Sequence, residues 1–354
     1  MIGDKMWKQY PYVEHSIQKI EGFVEKIFDI MFHALDHKSQ RFVDVVDGDI
    51  KILLDKVKKY KIEGQLETLY EQFKKLNLEQ IQILQTAFVN NNQIEQLCNK
   101  KVRPFRFKDL RIMYEKDKTW LDLLSLLKNF CADMYVEHIN LKAFQDRYGT
   151  MDAYYKVLVK NDSMCHCCGI GRVLTENDKP RDSFDHYLPK GIYPFISLNF
   201  HNLIPTCPHC NSSYKNEIDT LFDNNGKTEK QVKAFLPFRL QDEQSNITVK
   251  VKLSKRYDPN HIKECGMLLD FSCKGKEEKL QTWLRIYKIE EQYTSYCYSQ
   301  QILDIVNQMV VRGAANPTYL EQRILDMEQL NGVNGYFLQA AFARAVCESL
   351  GIKI

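Results

Sequence analysis

The chain has 354 residues, which exceeds one typical domain, so the sequence predicts about two or three domains and a sizeable buried core. A hydrophobic fraction of 44% and a charged fraction of 27% are ordinary for globular proteins and exclude a mainly disordered or fibrous chain. The formal net charge of +3 is nearly neutral for this length, so any contact with nucleic acid depends on local basic surface.

The first part of the chain, residues 1–155, is predicted to be a helical domain that docks a partner or nucleic acid. From about Ile17 to Phe130, apolar residues recur at three- and four-residue spacing, which is typical of amphipathic helices. We expect a bundle of about four or five helices, interrupted at Gly64, at the run of three asparagines that starts at Asn90, and at Pro104.

A basic stretch lies within this region. Residues 100–111 contain six cations interleaved with Phe105 and Phe107. Such a stretch can face the phosphates of a nucleic acid, although a solvated turn between helices is the more common arrangement. The N-terminus lacks the apolar segment of a secretion signal, and no run of about eighteen apolar residues is present, so we expect a cytoplasmic protein without membrane contact.

The middle and last parts of the chain differ in composition and in the spacing of their apolar residues. Residues 156–240 are rich in glycine, proline, cysteine, histidine and asparagine and show little helical periodicity, which predicts a compact site built from loops and short strands. In residues 241–354, the segment from Ile247 to Leu253 alternates apolar and polar residues as a half-buried strand does, and helical spacing returns from about Lys276. The predicted class is α+β, mostly α.

Four of the eleven cysteines form two CxxC pairs: Cys165 with Cys168, and Cys207 with Cys210. Two such pairs can close a tetrahedral thiolate site for a structural Zn²⁺ ion, and they suit a reducing compartment better than a disulfide framework does. The less common alternative is four core cysteines without a metal. Three neighbouring residues also carry donor atoms that could replace one of the four: His166, Cys167 and His209.

The segment between and just after the two pairs carries an ordered set of polar residues. Asp185-His186 is followed by Pro189-Lys190, then by Asn202, and finally by Asn211 and Lys215 beyond the second pair. Over about Asp162 to Glu217 this order resembles the HNH endonuclease family, also called the ββα-metal or His-Me finger family. The resemblance implies a central core of two strands and a helix, with catalytic residues at positions 185, 186, 202 and 211.

Hydrolysis of a phosphodiester needs a base to activate water, a cation to neutralise developing charge, and fixed geometry. Under the resemblance, His186 is the general base and Asn202 holds its ring in orientation. Asp185 and Asn211 offer oxygen ligands for a catalytic Mg²⁺ or Mn²⁺ ion. Lys215 and Lys190 are then expected to bind the phosphates of the substrate.

The residues from Asp185 to Lys190, with Tyr193-Pro194 farther on, are similar to a subgroup of HNH nucleases from bacterial anti-phage defence systems such as Septu. This similarity implies a DNA substrate and an ATPase partner protein. One alternative is a zinc-stabilised module that binds nucleic acid or protein without catalysis. Another is a nuclease that stays inactive until a partner or ligand releases it, which suits the nearly neutral charge.

Overall fold

Helices make up 58% of the computed structural model, and the sheets are small, so the predicted α+β, mostly α class is confirmed. The structure describes residues 6–57, 60–160, 162–224, 228–239, 245–330 and 333–354. Within these residues the strands form four separate two-stranded sheets. Every helix in the described ranges is too short or too polar to cross a membrane.

The first part of the chain is helical after a two-residue strand, β1 (Tyr10–Pro11). Its described helices are α1 (Ile20–Phe32), α2 (Phe42–Val45), α3 (Gly48–Lys56), α4 (Lys61–Phe73), α5 (Leu78–Asn91), α6 (Ile94–Cys98), α7 (Phe107–Met113), α8 (Lys118–Val136), α9 (Lys142–Tyr148) and α10 (Met151–Leu158).

The predicted bundle of four or five helices was an underestimate, because this stretch contains four helices of 13 or more residues and several shorter ones. The short helices have too few turns to show a clear period in the sequence. Gly64 lies inside α4 and does not interrupt it, since the buried residues Ile62 and Leu66 beside it anchor that helix in the core. Asn91 ends α5, and Pro104 precedes α7, as expected.

Helix α8 is the longest described helix and reaches the central region. It begins after Asp117, whose carboxylate accepts a hydrogen bond from the Trp120 backbone N–H at 3.1 Å and so caps the helix. Its buried side chains recur at helical spacing: Trp120, Leu123, Leu124, Leu127, Phe130, Cys131 and Met134. This stripe packs into the core and fixes the C-terminal turn of α8 against the middle of the chain.

The central region contains a short antiparallel hairpin followed by a helix. The strands β2 (Phe184–His186) and β3 (Leu203–Pro205) pair so that His186 lies opposite Leu203. The following helix, His209–Lys215, is wound as a π-helix, and the Asn216 backbone N–H donates to the Asn211 carbonyl five residues earlier at 2.8 Å. We call it the site helix. Three further strands follow: β4 (Phe222–Asp223), β5 (Lys230–Gln231) and β6 (Phe238–Arg239).

Strands β4 and β5 pair with each other, whereas β6 pairs in parallel with β1 at the start of the chain. The last part of the chain then forms an antiparallel hairpin of β7 (Thr248–Leu253) and β8 (Met267–Ser272), which confirms the strand predicted from alternation. Its described helices are α11 (Glu277–Tyr287), α12 (Ile289–Cys297), α13 (Gln300–Ala315), α14 (Pro317–Gln329) and α15 (Tyr336–Leu350). The buried apolar residues of all three regions form one continuous cluster.

Candidate metal centre and active site

The two CxxC pairs come together in the structure. The sulfur atoms of Cys165, Cys168, Cys207 and Cys210 all lie within 4.8 Å of one another, and all four residues are buried. Tetrahedral zinc with Zn–S bonds of about 2.3 Å places its sulfurs about 3.8 Å apart, and the Cys168 and Cys207 sulfurs are 4.0 Å apart. The four cysteines can therefore hold a metal ion such as zinc.

Backbone and side-chain N–H groups surround these sulfurs. The Cys207 N–H lies 3.4 Å from the Cys165 sulfur, the Gly171 N–H lies 3.3 Å from the Cys168 sulfur, and the Gln292 amide lies 3.6 Å from the Cys210 sulfur. Such donors stabilise the negative charge of thiolates. A Cβ atom at Gly171 would stand 2.5 Å from the Cys207 sulfur, so only glycine leaves room for this turn.

The three alternative ligands lie outside the cluster of donor atoms in the described residues. The imidazole of His166 hydrogen-bonds Asp162 at 2.9 Å and stacks on Tyr10, with ring centroids 3.8 Å apart. Cys167 and His209 are absent from the cluster of donor atoms found in the described part of the chain. This favours the four cysteines over the mixed ligand sets that the sequence left open.

Side chains from the last part of the chain fix the first cysteine pair. The Trp283 indole donates to the Cys167 carbonyl at 2.7 Å, and the Tyr293 hydroxyl donates to the Cys168 carbonyl at 2.9 Å. From the start of the chain, the Lys8 backbone N–H donates to the His166 carbonyl at 3.1 Å. The metal centre is therefore held by all three regions.

His186 lies at the end of β2 with its ring orientation fixed. Its Nε2 atom is 3.0 Å from the Ser197 carbonyl oxygen. Because a carbonyl can only accept, Nε2 carries the hydrogen, and Nδ1 of the neutral ring is left as a proton acceptor. Burial, followed by the positive charge of Lys190, lowers the pKa of His186 to about 3, which keeps the ring neutral near pH 7.

Tyr135, near the end of α8, forms a wall of this site that the sequence did not indicate. Its ring meets the His186 ring edge to face, with centroids 4.5 Å apart at 71°. The same ring carries the Lys190 ammonium 4.7 Å from its centroid. Tyr135 belongs to a helix some fifty residues before the motif, and no local pattern distinguishes it from other helical tyrosines.

Asp185 and Lys215 form a buried ion pair. The Lys215 ammonium donates to Asp185 Oδ1 and to the His186 carbonyl, both at 2.8 Å, and the two side chains are only 0% and 3% exposed. This differs from the predicted contact of Lys215 with substrate, because the site helix turns the side chain inward. The second oxygen of Asp185, Oδ2, is buried and has no hydrogen-bond partner among the described residues. Burial raises the pKa of this carboxyl, although Lys215 opposes the shift.

Asn202 and Asn211 form hydrogen bonds with backbone groups near the hairpin. Asn202 is fully buried; its side-chain oxygen accepts from the Leu188 N–H at 2.7 Å and its amide donates to the Leu188 carbonyl at 2.9 Å. It was predicted to hold the His186 ring, but it fixes the loop that follows β2, and the Ser197 carbonyl orients the ring. Asn211, in the first turn of the site helix, donates at 3.4 Å to the carbonyl of Ser183, which lies two residues before Asp185 in the chain.

Three of the six cations in the basic stretch at residues 100–111 form ion pairs among the described residues. Arg106 is buried and its guanidinium pairs with Asp109 at 2.7 Å and Glu229 at 2.6 Å. The Lys108 ammonium also reaches Glu229, at 2.8 Å, and Lys100 pairs with Glu278 at 3.0 Å. These contacts favour the structural interpretation of the stretch over a phosphate-facing patch.

Comparisons with family models, with curated proteins and with solved structures found no match to this chain. What the site can do is therefore inferred from its own geometry, together with the resemblance carried by residues 162–217.

Proposed function

We propose that the protein is a metal-dependent HNH endonuclease that hydrolyses phosphodiester bonds in DNA. The observation that carries this proposal is the imidazole of His186, which is held at the end of a short hairpin with Nε2 bound to the Ser197 carbonyl at 3.0 Å. A site helix bearing Asn211 follows the hairpin. A fixed, neutral imidazole with a free Nδ1 atom is what a general base needs.

In this proposal, His186 Nδ1 takes a proton from the water whose oxygen bonds to phosphorus. The bond from phosphorus to the leaving sugar oxygen breaks, and that oxygen takes a proton from solvent. Burial keeps the ring neutral before the reaction but also disfavours its protonated form, so the ring holds the proton only briefly before releasing it to solvent. Tyr135 and the Ser197 carbonyl hold the ring from two sides, which limits the loss of orientation during the reaction.

Asp185 and Asn211 would hold a catalytic Mg²⁺ or Mn²⁺ ion. The buried, unpartnered Oδ2 atom of Asp185 supports this assignment, because hard divalent cations prefer carboxylate and amide oxygens. When bound, such an ion neutralises charge that develops on the phosphate and the leaving oxygen. The Lys215 ammonium donates to the other oxygen of Asp185, Oδ1, and so fixes the orientation of the carboxylate.

For the four cysteines we propose a structural Zn²⁺ ion. All four donors come from the protein and are buried, so they would fill a tetrahedral shell without water, as in structural zinc sites. From the resemblance we further propose that the protein is a cytoplasmic effector of a bacterial anti-phage defence system and that it works with an ATPase partner. Affinity purification of the intact chain from its host tests this: recovery of an ATPase supports it, and repeated recovery of the chain alone contradicts it.

The nuclease proposal is tested by incubating the purified protein with supercoiled plasmid and Mg²⁺ or Mn²⁺. We expect nicked or linear plasmid with the parent protein and none with His186→Ala. Zinc content should stay the same and the variant should still fold, with a lower Tm because the buried ring and its hydrogen bond to the Ser197 carbonyl are lost. The matched control is His33→Ala, which removes an imidazole that is 55% exposed and lies away from the hairpin, and which should cleave as the parent does. Cleavage by His186→Ala at the rate of the parent would remove His186 from the chemistry.

A second candidate function is a zinc-stabilised module that binds nucleic acid or protein without catalysis. The observation in its favour is the Lys215–Asp185 pair, which already neutralises the carboxylate that a catalytic cation needs. In that case the parent and His186→Ala would bind DNA equally and neither would cleave plasmid with any divalent cation.

A further inference from the structure

Two cations flank the strand that carries Asp185 and His186. Arg181 lies three residues before β2, and Lys190 lies four residues after it. Neither forms an ion pair with a carboxylate of the described residues, although both are partly buried. Other partly buried cations pair with acids, as Arg344 does with Glu328 at 2.7 Å, although Lys128 of α8 lies, like Lys190, over an aromatic ring without such a pair among the described residues. Desolvation weakens the hydration of a partly buried cation, and an anionic ligand would offset that cost.

The acid nearest to them in sequence is already occupied. Asp185 lies between the two cations along the chain, but its carboxylate accepts the Lys215 ammonium at 2.8 Å. Neither Arg181 nor Lys190 forms an ion pair with this carboxylate among the described residues, so Lys215 is its cationic partner there. The positive charge at the two flanking positions is therefore available for a ligand.

Aromatic faces hold both cations without cancelling their charge. The Lys190 ammonium lies 4.7 Å from the centre of the Tyr135 ring. The Arg181 guanidinium lies 5.3 Å from the Phe184 ring and 5.6 Å from the Tyr155 ring, and it donates to the Asp182 carbonyl at 2.8 Å. Cation–π contacts of this kind orient a cation while leaving its N–H groups free for an anion.

Both cations lie on aromatic rings that adjoin the hairpin. The Lys190 ammonium lies over the Tyr135 ring, and the Arg181 guanidinium lies over the ring of Phe184, which begins β2. Burial raises the pKa of the Tyr135 hydroxyl to about 12, and the charge of Arg181 opposes that shift. Since the Tyr135 ring is 4.5 Å from the His186 ring, the two positive groups lie around one site.

We propose that Arg181 and Lys190 form a phosphate cradle, which binds the backbone of the nucleic-acid strand on either side of His186, with Tyr135 of α8 holding Lys190 in place. This inference rests on the proposed nuclease function and adds Arg181 and Tyr135 to the substrate site. Arginine suits such a place because its planar fork can donate two hydrogen bonds to one phosphate, while lysine acts as a point charge.

The test measures binding and does not depend on cleavage. In a His186→Ala background with Mg²⁺ present, a short fluorescein-labelled DNA duplex is titrated with protein at several NaCl concentrations and followed by fluorescence anisotropy. Each lost phosphate contact reduces the slope of log affinity against log salt by about 0.9 for duplex DNA. We expect Arg181→Gln and Lys190→Gln each to show this reduction and to bind about tenfold more weakly.

The matched control is Lys156→Gln, which removes the same charge from α10, but at a lysine that pairs with Asp152 at 2.8 Å. Its slope should equal that of the background protein. The charge-conserving variants Arg181→Lys and Lys190→Arg should keep the slope, which separates a phosphate contact from damage to the fold.

The outcomes distinguish the two proposals. If the background protein binds DNA and the parent cleaves plasmid, but Arg181→Gln and Lys190→Gln leave slope and affinity unchanged, the cradle is wrong and the nuclease stands. If the parent neither binds nor cleaves DNA, the proposed function is wrong and the cradle falls with it.

Discussion

The buried pair of Lys215 and Asp185 leads to a quantitative prediction. Lys215→Met keeps the length of the side chain but removes the ammonium, which leaves the carboxylate buried without the donor that it had at 2.8 Å. Breaking a buried pair in this way costs about 3–5 kcal/mol. For 354 residues, an unfolding entropy of about 2.1 cal/mol/K per residue gives about 0.7 kcal/mol/K, so we expect Tm to fall by about 4–7 °C.

The measurement is scanning calorimetry at pH 7 without added divalent metal. The matched control is the double variant Lys215→Met with Asp185→Asn, in which the buried group is a neutral amide that is less costly to leave without a charged partner. We expect the double variant to regain at least roughly half of the lost Tm. A Tm for Lys215→Met within about 1 °C of the parent, or a double variant as unstable as the single one, would refute the reasoning.

Three further predictions concern other parts of the site. Cys168→Ser should lower zinc content, measured by plasma mass spectrometry, because three thiolates hold zinc less tightly than four. Burial raises the pKa of Glu21 to about 7, so part of the stability of the parent is lost as pH rises from about 4.5 through 7. Glu21→Gln keeps an acceptor for the Phe200 N–H. In calorimetry, this variant should be about 1–3 kcal/mol more stable than the parent at pH 8 and equally stable at pH 4. Tyr135→Phe should retain plasmid cleavage, whereas Tyr135→Leu, without the ring against His186, should lose about tenfold or more.

The sequence predicted the parts of the fold that short-range patterns determine. The α+β, mostly α class and the strand near residue 250 follow from the period of apolar residues, and the cluster of four cysteines follows from CxxC spacing. The hairpin whose first strand ends at His186 could be predicted because Asp185-His186 and Asn202 follow one another in an order that resembles a known family. Whether that order carries catalysis stays a prediction.

The contacts between distant segments could not be predicted. Tyr135 reaches His186 only because α8 packs against the hairpin, and nothing near position 135 in the sequence marks it. The inward turn of Lys215 depends on the i→i+5 winding of the site helix, which apolar periodicity cannot distinguish from an ordinary helix. Asn202 was predicted to contact the His186 ring because an amide side chain can hydrogen-bond an imidazole. In the structure its side chain hydrogen-bonds the Leu188 backbone instead.

The way in which the first cysteine pair is bound limits how this protein can be dissected or reused. The carbonyl groups of residues 166–168, which include and adjoin this pair, accept hydrogen bonds from Trp283, from Tyr293 and from the Lys8 backbone. A fragment of residues 156–240 grafted onto another scaffold would lack all three donors. We expect such a graft to expose apolar surface and bind zinc weakly, as measured by metal titration, so transplantation of the site must carry the flanking helices with it.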